Sequence, residues 1–321
     1  MRHVCLGSTG LEVSAIAFGT WAFGGDWGTV DTEESTAVIH KALDLGITLF
    51  DTAQGYGFGA AERLLADALR QRVKREDVVI ATKGGLRMDG DTLVRDAGAA
   101  WLREGVESSL RSLGTDHIDL FQIHWPDPDT PAEETAQALE RLVGEGKIRY
   151  VGVSNYGVEE MEELRTLGWL ETLQPPYHMF HRDIETEILP YTAKHDLGVL
   201  VYGPLAHGLL GGRMSPATTF AADDWRGKNP DFTGETFLRN LRVVDRLKEF
   251  AADLSITLPT LAAGWTLSHP AVDVTIVGAR RSSQLDYTAA ADLSLSEQEL
   301  AEIDLILADS APMWGPHPEG M

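Results

Sequence analysis

The sequence has one cysteine, few lysines and no long apolar run, and these scarcities narrow the possible structures and partners. Cys5 is the only cysteine among 321 residues, so an internal disulfide and a cysteine-based metal site are excluded. No segment reaches the roughly 18 continuous apolar residues of a membrane-spanning helix. The first residues, MRHVCLGSTG, lack the apolar stretch of a signal peptide. We therefore expect a soluble, cytoplasmic protein with no membrane partner.

Positive charge is scarce as well. The chain carries 27 Lys and Arg residues against 49 Asp and Glu residues, which gives a formal net charge of −22 at pH 7. A surface this acidic repels phosphate backbones and anionic lipids, so we expect no nucleic-acid partner. Only seven residues are lysine, and the position of each lysine is correspondingly informative.

Short apolar segments alternate with longer amphipathic stretches along the whole chain. Continuous apolar runs, rather than strict alternation, are typical of parallel strands that are covered on both faces. Eight such runs occur, at residues 15–18, 48–53, 78–83, 118–124, 150–155, 172–177, 198–203 and 273–279. Helix patterns lie between them, at residues 32–46, 132–147 and 158–168 among others. The first of these opens with a Thr/Ser cap region and ends at Gly46.

This organisation predicts an α/β fold, a (β/α)8 TIM barrel formed by one domain over residues 1–321. Residues 3–14 predict an N-terminal β-hairpin that turns at residues 7–10 and plugs the barrel floor. Two segments interrupt the repeating pattern. One is a loop from Leu209 to Gly234, and loops of this length are usually functional. The other is the tail at residues 311–320, which is too rich in proline for a helix.

Polar side chains recur where the predicted strands end. They are Asp51, Lys83, His124, Asn155, Gln174 and Tyr202. In TIM barrels the working residues occupy the carboxyl ends of the strands, and core packing does not require polar groups there. Taken singly, the Asp51–Lys83 pair is explained equally well as a structural salt bridge, and His124 as a structural residue.

The segment DTAQGYGFGAAE, residues 51–62, carries a single tyrosine among three glycines. The glycines alternate and do not match the G-x-G-x-x-G spacing of a dinucleotide fingerprint. We interpret them as backbone freedom that lets the chain turn sharply and present Tyr56 over the barrel mouth. Glu62 is expected to begin the next helix at its positive end.

Tyr56, Lys83 and Asp51 can together form a proton-transfer group. A free phenol has a pKa of about 10 and is a poor acid near neutrality. A nearby ammonium stabilises the phenolate and lowers that pKa, and a carboxylate holds the ammonium in place. His124 is placed to donate a hydrogen bond to the same oxygen. No nucleophile with an adjacent base is evident, and no metal-binding histidine spacing occurs on a helix, so acyl transfer and a metal site are both disfavoured.

Seven motifs, taken in order, resemble the aldo-keto reductase family over essentially the full chain. They are DTAQGYGFGAAE, VVIATKGG, DLFQIHWPD, YVGVSN, LQPPYHMF, VYGPLAHGLLGGR and IVGARRSSQL. Their order and their location at successive strand ends are more specific than any single motif. HWPD and GPLAHGLL resemble the bacterial branch that is also similar to potassium-channel β subunits.

The resemblance implies a barrel that binds NADP(H) in an extended form, without a Rossmann fold or a metal. It assigns Tyr56 as the general acid in carbonyl reduction and as the base in the reverse reaction. Lys83 lowers the pKa of that phenol, Asp51 pairs with Lys83, and His124 orients the substrate carbonyl. Because hydride from the nicotinamide and a proton from Tyr56 must converge on one bond, positioning supplies much of the rate.

The same resemblance implies cofactor contacts along the barrel mouth. Toward the nicotinamide they are Gly19, Thr20, Trp21, Asp51, Ser154, Asn155, Gln174 and Tyr202, with Tyr202 stacked on the ring. Along the pyrophosphate, covered by the long loop, they are Gly203, Pro204, Leu205, Gly208, Leu210 and Arg213. At the adenosine 2′-phosphate they are Gly278, Arg280 and Gln284. Simpler explanations exist for several, such as a core aromatic for Tyr202 and a solvated charge for Arg213.

The adenosine end departs from the family pattern at one place. Where the family commonly has a Glu-Asn pair that contacts adenine, this chain has Tyr287 and Thr288, and Tyr287 packing on the base is one arrangement. Arg280 and Arg281 offer guanidinium forks that suit a phosphate monoester, although Arg281 is equally compatible with a solvated position. We therefore predict NADPH rather than NADH as the cofactor.

The expected substrate is a small-molecule aldehyde or ketone. Predicted substrate contacts are Trp21, Tyr56, His124 and Trp125, and Trp125 is favoured because it directly follows His124. Further candidates for an aromatic pocket wall, each equally compatible with the core, are Trp27, Phe58, Phe232 and Trp314. The sequence specifies neither the individual substrate nor the oligomeric state.

Two other functions stay open on the sequence alone. A regulatory protein similar to the channel β subunits would bind the cofactor with only vestigial catalysis, and the complete set of four polar residues argues against it. A barrel lyase or isomerase would instead use Lys83 to form a Schiff base with its substrate. Turnover of carbonyl compounds would distinguish a reductase from the regulatory protein, and trapping with borohydride would reveal a Schiff base on Lys83.

Overall fold

The computed structural model describes residues 1–25, 30–221, 224–291 and 293–315, without the side chains of residues 288–290. An antiparallel hairpin opens the chain, formed by β1 (His3–Cys5) and β2 (Glu12–Ser14). The parallel strands that follow are β3 (Ile16–Gly19), β4 (Leu49–Asp51), β5 (Val79–Gly84), β8 (Ile118–Ile123), β9 (Ile148–Ser154), β10 (Thr172–Gln174), β11 (Gly198–Tyr202) and β12 (Val274–Gly278). They close into an eight-stranded barrel in chain order. A second antiparallel hairpin, β6 (Leu86–Asp89) and β7 (Thr92–Arg95), lies between β5 and β8.

Helices surround the barrel. In the described residues the α-helices are α1 (Thr32–Asp44), α2 (Ala60–Arg70), α3 (Ala99–Leu113), α4 (Ala132–Gly144), α5 (Val158–Thr166), α6 (Ile188–Lys194), α7 (Gly234–Asp253), α8 (Leu258–Leu267) and α9 (Glu297–Leu307). None of them is long and apolar enough to cross a membrane. The predicted (β/α)8 barrel with its N-terminal hairpin is therefore confirmed.

Each predicted strand overlaps a barrel strand. Two strands stop early, because β4 ends at Asp51 and β10 ends at Gln174. Two prolines without backbone N–H groups follow β10 and interrupt the regular strand, although Tyr202 N still donates to Pro175 O and Tyr177 N to Tyr202 O, both at 3.1 Å. The β6–β7 hairpin lies outside the predicted strands, although its two-residue turn, Gly90-Asp91, is a common hairpin signal and Gly90 has a φ of +61°.

The start of α1 differs from the prediction. Its cap is Asp31 rather than a threonine or serine, since Asp31 Oδ1 accepts hydrogen bonds from Glu33 N at 3.0 Å and Glu34 N at 3.1 Å. Aspartate is among the best residues for this position because its carboxylate satisfies free helix N–H groups. The predicted end is confirmed, as Gly46 has a φ of +81° just past the helix.

The N-terminal hairpin closes the barrel floor, as predicted. Leu6 and Val13 are fully buried and pack with Leu49, Leu120 and Leu200, which point into the barrel. The approach is so close that a Cβ on Gly7 would lie 2.2 Å from the backbone N of Gly198 at the start of β11. The opposite end of the barrel stays available for a site.

The long connection after β11 is packed at its two ends, whereas residues 211–221 are exposed or half-buried. Its described part forms 3-10 turns at Ala206–Gly211, Trp225–Lys228 and Pro230–Phe232. Leu209 and Phe232 are buried in an apolar cluster that also contains side chains of α7 and α8. In the C-terminal tail, residues 311–315 form no helix, and residues 316–320 lie outside the described part.

Candidate active site

A buried lysine joins the carboxyl ends of two neighbouring strands. The side chain of Lys83 on β5 is 1% exposed, and its Nζ lies 2.6 Å from Asp51 Oδ1 on β4. The same ammonium donates to Thr52 O at 3.0 Å and to Tyr56 Oη at 3.4 Å. Burial lowers the pKa of Lys83, and the charge of Asp51 opposes that shift. All three protons of the ammonium therefore have acceptors, and one acceptor is the phenol.

The local fold brings Tyr56 to this lysine. The loop after β4 continues to follow β5, because Thr52 N donates to Ala81 O and Gln54 N donates to Lys83 O, both at 2.9 Å. The predicted sharp turn then occurs at Gly57, which has a φ of +61°. A Cβ at Gly57 would lie 2.6 Å from the carbonyl oxygen of Gly24, so both conformation and space require glycine there.

Asp51 has a second partner. Its Oδ2 accepts a hydrogen bond from Gln174 Nε2 at 2.8 Å, and Gln174 is 2% exposed. Gln122 Oε1 lies 3.4 Å from the same amide nitrogen. The amide of Gln174 thus orients the carboxylate that holds Lys83, which is a role in addition to the predicted contact with the cofactor.

His124 follows β8 and faces the tyrosine. Its ring lies edge-on to the Tyr56 ring, with centroids 5.7 Å apart at 78°. Burial, and then the charge of Lys83, hold the pKa of the imidazole well below its usual range. The ring is therefore neutral near pH 7 and carries one N–H. The predicted hydrogen bond from His124 to the Tyr56 oxygen stays a prediction.

Three predicted cofactor residues bind one another across β9 and β11. Asn155, with a φ of +63°, donates from Nδ2 to His124 O at 3.0 Å and to Ser154 Oγ at 3.1 Å. Tyr202 Oη donates to Asn155 Oδ1 at 2.8 Å. Burial raises the pKa of the Tyr202 phenol, so that group remains a hydrogen-bond donor. This network fixes the orientation of the amide at the barrel mouth.

The predicted pyrophosphate residues lie on the turns directly after β11. Gly203 and Gly208 have φ values of +72° and +99°. A Cβ added to Gly203 would meet no atom within 4 Å, so the space beside this residue is open. Leu210 is fully buried in the apolar cluster, which leaves only its backbone for a ligand. Arg213 is exposed. Pro204 and Leu205 complete the segment between these glycines.

The predicted adenosine residues follow β12. Gly278 is exposed beside Gly19 of β3, and Gln284 Oε1 accepts from the backbone N of Arg280 at 2.8 Å and of Arg281 at 3.0 Å. Tyr287 is half-buried: its ring packs against the main apolar cluster and its hydroxyl is buried. Packing of Tyr287 on adenine stays a prediction.

Aromatic rings line one side of the mouth. Trp21 stacks near Tyr56 at 6.5 Å, and Trp125 lies under the guanidinium of Arg95 at 5.3 Å. Phe232 is 3% exposed, which favours the core over the pocket wall for this residue. Phe58 and Trp314 are 42% and 51% exposed. Trp27 lies outside the described residues.

Sequence reasoning missed a set of histidines on this side. His207 approaches Trp21 at 6.4 Å and His178 at 6.1 Å, and His181 approaches Trp314 at 5.0 Å. The only sequence signal is the HMFH spacing, since the His178–His207 contact forms through the fold. Within the described residues no group of three or more metal-ligating side chains occurs.

Glu62 begins the next helix as predicted, and the structure adds that it is buried. The residue does lie in the first turn of α2, but it is 0% exposed and accepts a hydrogen bond from Thr82 Oγ1 at 2.7 Å. Burial raises the pKa of this carboxyl, against the effect of that hydrogen bond. Burial therefore makes the charged form of this carboxyl less favourable than it would be in water.

The residues at the strand ends fit a nicotinamide dinucleotide. Thr20 Oγ1, Gln122 Nε2 and His124 Nδ1 are buried at this end and have no hydrogen-bond partner within the described residues. Buried polar atoms of this kind are normally satisfied, so they offer donors and acceptors to a ligand. The exposed Arg280 and Arg281 offer positive charge at the other side of the mouth.

Comparison with known proteins gives consistent matches over almost the whole chain. The model of the Aldo/keto reductase family matches residues 15–308. Aldo-keto reductase YhdN of Bacillus subtilis (strain 168) is 40% identical, with 97% of this chain and 95% of the relative covered. NADH-specific methylglyoxal reductase of Escherichia coli (strain K12) is 33% identical, with 93% and 96% covered. A probable voltage-gated potassium channel subunit beta of Arabidopsis thaliana is 33% identical, with 89% of each covered.

A solved structure agrees with these sequence matches. The glycerol dehydrogenase AKR11B4 from Gluconobacter oxydans superposes with a TM-score of 0.87 at 40% identity, and 95% of each chain is covered. The similarity therefore extends over the barrel and the loops at its mouth.

Proposed function

This chain belongs to the aldo/keto reductase family, as its motifs predict, and on that premise we propose that it reduces aldehydes and ketones to alcohols with NADPH. One observation carries the proposal. Lys83 Nζ contacts both Asp51 and the Tyr56 hydroxyl, and the edge of His124 faces the same phenol ring. This is an arrangement for moving a proton at one oxygen.

Tyr56 is the proton donor in this proposal. The ammonium of Lys83, 3.4 Å from Tyr56 Oη, favours the phenolate left after the proton has moved to the substrate oxygen. Asp51 and Thr52 O hold that ammonium in place. The neutral His124 donates its N–H to the carbonyl oxygen and so orients it. In the reverse direction the phenolate of Tyr56 accepts the proton from the alcohol.

A nicotinamide cofactor, when bound, would supply the hydride. Thr20, Asn155 and Gln174 would hold its nicotinamide end, and Tyr202 would line the ring. Arg280 and Arg281 support a preference for NADPH, because a guanidinium binds a phosphate monoester through paired hydrogen bonds. Trp21 and Trp125 would form the apolar part of the substrate site, which suits a broad range of small carbonyl compounds.

Schiff-base chemistry at Lys83 fits the structure less well. The amine is 1% exposed and its three protons are already used. A substrate carbonyl would have to displace Asp51 or Thr52 to reach the nitrogen. The access of Tyr56 to the barrel mouth, where it is only half-buried, favours proton transfer by the phenol instead.

The direct test follows the absorbance of NADPH with a panel of aldehydes and ketones, beginning with 4-nitrobenzaldehyde, and repeats it with NADH. We expect carbonyl-dependent oxidation of NADPH. Tight binding of NADPH without turnover across the panel would contradict reduction. It would instead support a cofactor-binding regulatory role, and the name of the Arabidopsis relative, a channel subunit, is consistent with a role other than catalysis. Borohydride trapping of a substrate on Lys83 would support the lyase or isomerase alternative.

A further inference from the structure

A carboxylate reaches the turn that follows β12 from another part of the chain. Glu34 Oε1 on α1 accepts a hydrogen bond from Ser282 N at 2.9 Å and lies 3.4 Å from Ser282 Oγ. A second link, Lys41–Asp286 at 2.9 Å, also joins α1 to this region. Two independent contacts therefore fix the side of α1 that faces the turn, and the position of Glu34 is part of the fold.

Glu34 lies beside residues that would bind the 2′-phosphate of the cofactor, where a negative charge matters. Ser282 directly follows Arg280 and Arg281, the two guanidinium groups that support binding of a 2′-phosphate. A second acid lies near Arg280. That acid is Asp224. Burial raises its pKa, but hydrogen bonds from Arg226 and the charges of Arg226 and Arg280 hold the pKa below its usual range. Asp224 thus interacts with Arg280, and Glu34 places a second carboxylate on the residue that follows the two arginines.

We propose that Glu34 is a specificity-determining residue that weakens the binding of NADPH relative to NADH. The proposal rests on the proposed function, because it concerns the cofactor of that same site. A 2′-phosphate carries close to two negative charges near pH 7, whereas the ribose hydroxyl of NADH carries none. The charge of Glu34 beside Ser282 therefore repels one cofactor and not the other.

The size of the effect follows from the distance over which charges act in salt solution. Within one Debye length, about 8 Å at physiological salt, a unit charge and a doubly charged phosphate at the surface repel enough to weaken binding roughly two- to sixfold. Glu34 therefore adjusts the cofactor preference and does not abolish NADPH binding. We also expect the effect to shrink as salt is added.

Glu34→Gln is the informative variant. The amide oxygen can still accept from Ser282 N, so the turn is retained while the charge is removed. Glu33→Gln is the matched control, because Glu33 lies one residue away, is exposed and undergoes the same change of charge. Dissociation constants for NADPH and NADH are measured separately by quenching of tryptophan fluorescence, at low and at moderate salt.

We expect Glu34→Gln to bind NADPH two- to sixfold more tightly and NADH unchanged, with a smaller difference at moderate salt. Glu33→Gln should change neither constant by as much. Equal changes for both cofactors, or weaker binding of NADPH, would overturn the proposal and show that Glu34 only supports the turn. If neither dinucleotide binds the wild-type protein, the proposed function fails as well, which is a separate and recognisable result.

Discussion

Removing the charge of Asp51 tests the buried ion pair most severely. In Asp51→Asn, the Lys83 amine at 1% exposure loses its counter-ion 2.6 Å away, so it either stays charged without compensation or gives up its proton, and both cost free energy. Breaking one side of a buried pair typically costs about 3–5 kcal/mol. A 321-residue chain unfolds with an entropy of about 0.7 kcal/mol/K at roughly 2.1 cal/mol/K per residue. We therefore expect the Tm to fall by about 4–7 °C.

The double variant separates charge burial from general damage. In Asp51→Asn/Lys83→Met no uncompensated charge remains, and replacement of a whole buried pair is often close to neutral. We expect the double variant to be more stable than Asp51→Asn alone, while reductase turnover stays at least about tenfold below wild type in both. Thermal unfolding and NADPH oxidation measure the two effects.

An exposed ion pair supplies the control for this experiment. Asp44 and Arg72 are 2.6 Å apart, but their side chains are 56% and 43% exposed. Asp44→Asn should therefore cost no more than about 1 kcal/mol. The reasoning would be refuted if Asp51→Asn lowered the Tm no further than Asp44→Asn, or if the losses in the double variant were simply the sum of the single losses.

Two further predictions concern the surroundings of the site. Burial raises the pKa of Glu62 in the folded state above the unfolded value near 4.5. Between these two pKa values the unfolded chain has lost the proton and the folded chain has not, so the free energy of unfolding falls as pH rises. Wild type should therefore lose stability relative to Glu62→Gln as pH rises from about 4.5 through the higher folded pKa. Urea unfolding at several pH values measures this, and a difference independent of pH would contradict it. Gly57→Ala, with φ of +61° and the Gly24 carbonyl at 2.6 Å, should cost more than about 1 kcal/mol and reduce turnover. Gly144→Ala, with no atom within 4 Å, should be neutral or stabilising in the same unfolding assay, and equal costs would count against the turn argument.

The barrel and the pairing of Asp51 with Lys83 were accessible from sequence for a physical reason. Parallel strands covered on both faces appear in a sequence as continuous apolar runs, and polar residues directly after those runs mark the strand ends. Neighbouring strands then bring such residues together, as the register of Asp51 with Ala81 shows. The motif order added the role of Tyr56, which composition and spacing alone left open.

Other parts of the site depend on contacts that no local pattern encodes. Glu34 and Ser282 are 248 residues apart, and the histidines near Trp21 converge only after the loops have packed. The surroundings of Glu62 were also hidden, because an acidic residue in a first helical turn normally faces solvent. The place of Phe232 was left open for a similar reason, since an aromatic residue in a long loop has no local signal that separates a pocket wall from core packing.

The central claim is that the Tyr56 hydroxyl gives up the proton. Tyr56→Phe removes one oxygen and keeps the ring that stacks near Trp21. Tyr191→Phe, at a phenol that bonds Glu162 away from the barrel mouth, is the matched control. Single-turnover oxidation of NADPH with 4-nitrobenzaldehyde, together with the NADPH dissociation constant, is the most direct measurement. We predict that Tyr56→Phe loses about 10²–10⁴-fold in turnover with NADPH binding unchanged within about twofold, whereas turnover close to that of Tyr191→Phe would contradict the account.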